Sequence, residues 1–265
     1  METKHLVILT IILITSGCVN ETQSSEDIGE KGLEIEEFSI TDDRLRPQQN
    51  AVITARFKNY HREIDVDTVE IFNEGSNLEV SKNGCTPSAD DLEGAREGVY
   101  PEMQCTWNVE APEEDELEGF RERSEPVKLR VSYSGALENR EALQAEFRSI
   151  TDIEKTSRVS KTFSNNEMEA RMTTETPIAK GSGNSMELQL RNIGPGRLEG
   201  SYSFKYTPDE VFENCDSEAS PRIGSEWSTV CTISSDSEGV RNLYFSTDYK
   251  YVKEPNLDIT VVNRR

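Results

Sequence analysis

Histidine is scarce in this chain, and several signatures of catalysis are missing from it. The 265 residues contain two histidines, His5 and His61, and no Gly-x-Ser-x-Gly elbow, Walker loop, dinucleotide fingerprint or His-Glu-x-x-His motif. A nucleophilic triad needs a general base, and His61 is the one candidate beyond the N-terminal segment. Because His61 lies in a Tyr-His-Arg sequence typical of a turn, we interpret it as a surface histidine. The sequence predicts no catalytic residue and no enzyme.

Positive charge is also scarce. Lys and Arg number 29 against 50 Asp and Glu, which gives a net charge of −21. Such a balance repels phosphate and excludes nucleic acid as an expected partner. The acidic composition resembles that of proteins from salt-loving archaea, whose carboxylates keep the surface hydrated. In molar salt the Debye length is about 3 Å, so the self-repulsion of such a surface is largely screened.

The abundance of carboxylates leaves two other chemistries to weigh. A secreted or anchored glycoside hydrolase is the alternative function, and it predicts two carboxylates roughly 5–10 Å apart and one raised pKa. Calcium binding by the acidic runs 90–93 and 113–116 is a second alternative. Neither run alternates its oxygen ligands as an EF-hand loop does, so we interpret both as solvated charge and expect no metal and no cofactor.

A long apolar run is missing too, since Leu6–Ile14 has nine residues and a membrane-spanning helix needs roughly 20. Small residues follow it, and then Cys18. This order is typical of an export signal, and it resembles the signal of bacterial and archaeal surface lipoproteins, with Thr15 where those carry Leu. The resemblance implies a signal peptide over residues 1–17, a lipid on Cys18, and anchoring at the outer face of the cell membrane. A plain signal peptide with an idle Cys18 thiol is the alternative.

Residues 18–32 are polar and contain two glycines, which predicts a flexible tether between the lipid and the first domain. Asn20 begins an Asn-Glu-Thr triplet in this tether, so it is a candidate glycosylation site.

Helical periodicity is hard to find, whereas period-two alternation recurs along the chain. Many short alternating stretches separated by Gly, Pro, Asn and Asp predict an all-β fold of two tandem β-sandwich domains. We place the first domain at 33–150, a linker (or an edge strand) at 151–166, and the second domain at 167–265. Alternation predicts these core residues: Val52, Phe57, Val66, Trp107, Val109, Leu129, Val131, Tyr133, Leu188, Leu190, Tyr202, Phe204, Trp227, Phe245 and Ile259.

Beyond Cys18 there are four cysteines, an even number that indicates disulfides in an exported chain. Local pairing of Cys85 with Cys105 and of Cys215 with Cys231 is favoured over the two other connectivities. Zinc is the alternative for four cysteines, but the sequence has no Cys-x-x-Cys pair and little histidine.

The two cysteine pairs mark an internal duplication. Asn59 and Asn192, which each end an alternating strand after a basic residue, are 133 residues apart; Cys85 and Cys215 are 130 apart. In each half a second strand, the cysteine pair and a terminal hairpin follow in the same order. The predicted hairpins join 129–133 to 143–147 and 243–251 to 257–261.

The segment Asn192-Ile193-Gly194-Pro195-Gly196 resembles a turn of the adhesion-type immunoglobulin-like repeats called CARDB, in which Asn-x-Gly-x-Gly follows an alternating strand. The first half departs from this pattern at Asn59-Tyr60-His61-Arg62-Glu63. The resemblance implies an immunoglobulin-like sandwich with an extracellular binding or spacing role and no catalytic residues. We therefore expect a surface lipoprotein that acts in adhesion, binding or envelope spacing, or as an accessory subunit of a surface complex. Its expected partners are the membrane, through the lipid, and a surface protein or glycan.

Overall fold

The chain folds almost entirely into β-strands, as its alternation predicts. The computed structural model describes residues 31–117, 119–220 and 226–263, so residues 1–17, Cys18 and Asn20 lie outside the described residues. The described ranges contain 18 strands, four 3-10 helices and no α-helix, and no helix in them is long and apolar enough to cross a membrane. The strands are β1 Leu33–Ile40, β2 Arg44–Leu45, β3 Asn50–Asn59, β4 Asp65–Phe72, β5 Glu79–Thr86, β6 Glu102–Glu110, β7 Glu122–Glu138, β8 Leu143–Arg148, β9 Ser157–Ser164, β10 Met168–Thr176, β11 Ile178–Ala179, β12 Asn184–Asn192, β13 Arg197–Thr207, β14 Phe212–Glu213, β15 Glu218–Ala219, β16 Glu226–Ile233, β17 Gly239–Lys253 and β18 Asn256–Val262.

Three sheets form around one continuous core of sandwich type. A four-stranded sheet has the order β1-β3-β6-β5, and a five-stranded sheet has the order β14-β16-β12-β10-β9. A nine-stranded sheet follows the path β11-β8-β17-β7-β18-β2, with β4 paired to β7, β13 to β17 and β15 to β13. The four-stranded sheet belongs to the first half and the five-stranded sheet to the second, whereas the nine-stranded sheet contains strands of both.

Thirteen of the fifteen predicted core residues are buried. Val52 is partly exposed because Ile53 and Phe57, four residues apart, share the inward face of β3 and leave Val52 on the outer one. Trp227 is partly buried and packs against the core from the outer part of β16.

The predicted hairpins are wrong, because the last strand of each half pairs with the other half. Strand β8 pairs antiparallel with β17, and β18 pairs antiparallel with the N-terminal part of β7. Strands β7 and β17 also pair with each other, with Tyr133 opposite Tyr251. Each half therefore contributes its last strand to the sheet beside the long central strand of the other half. The division into 33–150 and 167–265 stays a prediction, but strands from both ranges share one sheet.

The strand order is consistent with the predicted internal duplication. In the first half β1 pairs with β3 through Leu33 opposite Asn59, and in the second half β10 pairs with β12 through Met168 opposite Asn192. Strands β4 and β13 then take equivalent places beside β7 and β17. The predicted linker contains β9, which is the outermost strand of the five-stranded sheet and matches the edge-strand alternative.

The structure pairs the cysteines locally, in agreement with the favoured connectivity. Cys85 and Cys105 lie opposite each other on β5 and β6 with Cα atoms 4.0 Å apart. Cys215 and Cys231 have Cα atoms 4.6 Å apart and join the segment after β14 to β16. Since disulfides persist in oxidising compartments, the two bonds favour an exported protein.

Candidate functional site

A fully buried carboxylate lies where the two halves meet. Glu167 is 1% exposed and accepts hydrogen bonds from Tyr133, from Tyr249 at 2.8 Å and from the backbone N–H of Leu33 at 3.0 Å. His61 Nε2 lies 3.2 Å from Oε2 and Lys253 Nζ lies 3.1 Å from Oε1. We call the five side chains Glu167, His61, Tyr133, Tyr249 and Lys253 the polar network. Because the first half supplies His61 and Tyr133, the network crosses the junction.

Side chains of asparagine hold the network in position. The Oδ1 atom of Asn165 accepts the backbone N–H of Glu167 at 3.2 Å and of Met168 at 2.9 Å, which closes the turn between β9 and β10. The amide group of Asn165 donates to Tyr249 at 2.6 Å. Asn59 in the first half accepts the backbone N–H of His61 at 2.9 Å. Such local asparagine bonds fix a turn where the strand ends.

The surroundings keep Glu167 ionised. Burial alone raises the pKa of this carboxyl group, but His61 and then Lys253 and Tyr133 outweigh burial and lower the pKa to about 2. Burial, followed by the adjacent Glu167, raises the pKa values of Tyr133 and Tyr249 well above the ordinary value of 10.0. Both tyrosines therefore stay neutral, and their hydroxyl groups donate hydrogen bonds to the carboxylate.

The two halves supply unequal side chains to this junction. Glu167 precedes β10 as Gly32 precedes β1, and a Cβ atom at Gly32 would overlap the Glu167 carboxylate. His61 follows Asn59 by two residues, as Gly194 follows Asn192. Each large polar side chain thus corresponds to a glycine in the other half.

The pairing of strands β7 and β17 identifies a third pair of equivalent positions that differ between the halves. Tyr133 and Tyr251 are equivalent and opposite in the β7–β17 pairing, so Lys253 corresponds to Gly135. A Cβ atom at Gly135 would lie 2.7 Å from Cε1 of His61, so this glycine makes room for the imidazole. At each of these three pairs of equivalent positions, one half therefore has a large polar side chain and the other half has a glycine.

The interpretation of His61 as a surface histidine is wrong, since its exposed fraction is 1%. Sequence reasoning missed Glu167, Lys253 and Tyr249 altogether, because an acidic residue among 50 carries no signal of its own. The aligned glycines Gly32 and Gly194 were the available signal, since each stands where the other half has a polar residue.

The turn at 192–196, which resembles the turn of the CARDB repeats, also lies at this junction. Asn192 donates from Nδ2 to the carbonyl of Gly196 at 2.8 Å and accepts from Gly194 N–H at 3.2 Å. The hydroxyl of Tyr251 donates to Asn192 Oδ1 at 3.0 Å and accepts from Gly196 N–H at 3.0 Å. Asn192 and Asn59 therefore have the same local role in the two halves.

The chemistry available to the polar network is limited by its burial. Glu167 and Lys253 are already bonded to each other and to the backbone of Leu33 inside the protein. Carboxyl groups of the described ranges whose pKa is shifted, those of Glu141, Glu167 and Glu254, are all shifted downward, opposite to a general acid. No group of three or more His, Cys, Asp or Glu in those ranges is arranged to hold a metal ion, and the two acidic runs contribute to 3-10 helices at 89–91 and 115–117.

A cleft of about 470 Å³ opens beside the network. Ile35, Pro195 and Pro255 form apolar parts of its wall, and Glu34, Glu36 and Glu254 also line it. Glu167 and Lys253 lie at its inner end. We call it the junction cleft, since its walls come from both halves.

A scan against protein-family models and a search of curated proteins found no match. Among solved structures, the crystal structure of a collagen adhesin from S. aureus is similar over 86% of this chain and 92% of that chain, with 6% sequence identity. Its TM-score of 0.17 is too low to support an argument about fold or function. The assignment to an all-β, sandwich-type fold therefore depends on the strands and sheets described above.

Proposed function

We propose that this chain is a non-enzymatic module displayed on the outer face of the cell membrane, held there by a lipid on Cys18, and acting by binding or spacing. The observation that supports a mechanical role is the reciprocal exchange of β8 and β18. Separating the halves would break both strand pairings and expose the buried Glu167. A module of this kind keeps its two halves in a fixed arrangement without an internal hinge. This rigidity suits a spacer or a binding platform.

The absence of an enzymatic role is part of the same proposal. Its support is the burial of Glu167 and of His61, the one histidine of the described ranges, since each side chain is 1% exposed. A carboxylate-dependent hydrolase would need a proton donor with a raised pKa, and Glu167 has the opposite shift.

The anchor is tested on membranes of cells that express the full chain. Mass spectrometry of the membrane fraction is expected to find Cys18 as the N-terminal residue of the mature protein with a lipid on its sulfur. A Cys18→Ser variant is expected to leave the membrane fraction, while Cys85→Ser/Cys105→Ser is the matched control that keeps the anchor. An unmodified Cys18 in membrane-bound protein would refute the proposed anchor.

The acidic surface supports a further part of the proposal, namely work in concentrated salt. With a net charge of −21, the folded chain repels itself in dilute buffer, and salt screens this repulsion. The thermal midpoint of unfolding is expected to rise steadily from low to molar KCl. A midpoint that does not change with salt would contradict this part.

A further inference from the structure

The outer edge of β1 is open beside the junction cleft. Strand β1 is the terminal strand of its sheet, and β3 pairs with its other side. Tyr60 N–H donates to the carbonyl of Gly32 at 3.3 Å, so Gly32 bonds toward the β3 side. Residues alternate in an antiparallel pair, and the backbone groups of Leu33 and Ile35 therefore point away from β3.

At Leu33 this outward edge is already occupied by side chains. Its N–H donates to Glu167 Oε1 at 3.0 Å, and its carbonyl accepts from the ammonium group of Lys253. The two side chains take the positions that the carbonyl and N–H of a neighbouring strand would take. The polar network thus ends the sheet at Leu33 and leaves the next outward position, Ile35, to the cleft.

No strand of the described ranges covers the outer side of β1 at Ile35. An edge with unpaired N–H and carbonyl groups is a template for an added strand. The junction cleft lies along this edge, with Ile35, Pro195 and Pro255 available to contact the side chains of such a strand. A register shift between Ile35 and Glu37 bends the edge, which restricts pairing to a short segment.

We propose that the edge of β1 at Ile35, together with the junction cleft, receives a short extended segment of a partner protein that contains lysine or arginine. This inference rests on the proposed binding function and names the class of partner. Strand addition supplies backbone hydrogen bonds, and the cleft supplies the contacts that select side chains.

The charge of each candidate occupant determines whether the junction cleft attracts or repels it. Glu34, Glu36 and Glu254 line the cleft. Glu36 and Glu254 already form ion pairs with basic side chains, whereas no ion pair among the described residues involves Glu34, so Glu34 is the carboxylate available to a basic segment. A second copy of this chain carries the same net charge of −21. The chain's own residues 18–30 contain four acidic residues and no lysine or arginine, so they are repelled as well. A basic segment gains attraction where these competitors meet repulsion.

The test uses the full chain and synthetic ten-residue peptides in calorimetric titrations. One peptide alternates Lys with Val and Thr, a second has Glu in place of Lys, and a third is the Lys peptide with a methylated backbone. We expect the first to bind, more weakly as salt rises, and the other two to bind at least about tenfold more weakly. Equal binding of the Glu peptide or of the methylated peptide would overturn the proposal.

Two variants locate the site. Ile35→Pro removes an N–H that points away from β3, so the fold is expected to survive while peptide affinity falls about tenfold. Glu34→Gln is expected to weaken binding, whereas Glu79→Gln, on the opposite edge strand β5, is expected to leave it unchanged. Equal effects of the two Glu variants would indicate diffuse attraction and refute the site.

Hydrogen exchange provides the decisive readout in the unaltered chain, should Ile35→Pro fail to fold. Added Lys peptide is expected to protect the Ile35 amide, and an unchanged exchange rate at saturating peptide would refute strand addition. If no peptide binds, the proposed lipid anchor on Cys18 still stands. If Cys18 is unmodified, the proposed anchor is refuted whether or not the Lys peptide binds.

Discussion

The carboxylate of Glu167 occupies the space beside Gly32 that the Cβ atom of any other residue at position 32 would need. The two residues hold equivalent positions in the two halves, one step before β10 and one step before β1. The halves therefore fit because they differ at this point. A symmetric pair of glutamates would place two carboxylates in one buried space, and a symmetric pair of glycines would leave His61 and Lys253 without their carboxylate partner.

Replacing Gly32 by alanine is expected to destabilise the fold by about 2–4 kcal/mol, because the added methyl group displaces the Glu167 carboxylate from its donors. Urea unfolding followed by circular dichroism measures the loss. Gly98→Ala is the control: its Cβ meets open space, and its φ of +71° costs only about 1–2 kcal/mol. Equal losses in the two variants would show that the Gly32 contact has no special role.

Replacing Glu167 by glutamine keeps the shape of the side chain and removes its charge. We expect a loss of about 3–5 kcal/mol at neutral pH, because Lys253 loses its buried counter-charge. Chemical unfolding at pH 7 measures this difference. Glu97→Gln, at an exposed position, is expected to change the free energy of unfolding very little.

The same carboxylate predicts a specific dependence on pH. Its pKa is lowered in the folded state to about 2 from the ordinary 4.5, so its contribution is present above pH 4.5 and is lost as the pH falls toward 2. The expected loss is about 3 kcal/mol for this group. Unfolding measured from pH 6 to pH 2 is expected to show a smaller decline in Glu167→Gln than in the unaltered chain. Parallel curves would contradict the assignment.

The strands were predictable because their pattern is local. Alternation identifies β1, β3, β12 and β18 to within about two residues, since period two is a property of each strand alone. Strand pairing is not local, and that is why the hairpins were predicted wrongly. The alternating segments 143–147 and 257–261 fit against β7 or β17 equally well by pattern, and only the assembled core decides between them.

The candidate site was less predictable than the fold, for a related reason. Glu167, His61 and Lys253 are distant in sequence and ordinary in type, and they meet only where the two folded halves pack together. The equivalence of Asn59 with Asn192 does come from sequence, and it places His61 against Gly194. The difference between His61 and Gly194 at equivalent positions marks the junction. The folded structure is needed to show that the polar side chains are buried there and contact one another.

The disulfides are expected to stabilise each half separately. Each bond closes a loop, of 20 residues for Cys85–Cys105 and 16 for Cys215–Cys231, and the chain-entropy account assigns about 3 kcal/mol to a loop of this size. Chemical unfolding of Cys85→Ala/Cys105→Ala measures the first contribution. Peptide mapping without reduction is expected to find the two local bridges, and a bridge from Cys85 to Cys215 would contradict the structure.

The exchange of strands predicts that the two halves unfold together. Ile259 is fully buried on β18 but pairs with β7 of the first half, so Ile259→Ala is expected to cost about 2–5 kcal/mol and to weaken both halves. The sequence contains two tryptophans, Trp107 in the first half and Trp227 in the second, which report on each half by fluorescence. In Trp227→Phe and Trp107→Phe backgrounds, Ile259→Ala is expected to lower both urea midpoints by similar amounts.

The matched control for that measurement is Ile150→Ala, at a side chain that is 75% exposed, and it is expected to move neither midpoint. Independent domains would give a different result, because Ile259→Ala would then lower the Trp227 midpoint and leave that of Trp107 in place. The first half would in that case not depend on β18, although β18 supplies the strand beside residues 122–128 of β7. Coincident shifts are expected from that pairing together with the β7–β17 pairing at residues 131–138, which also joins the two halves.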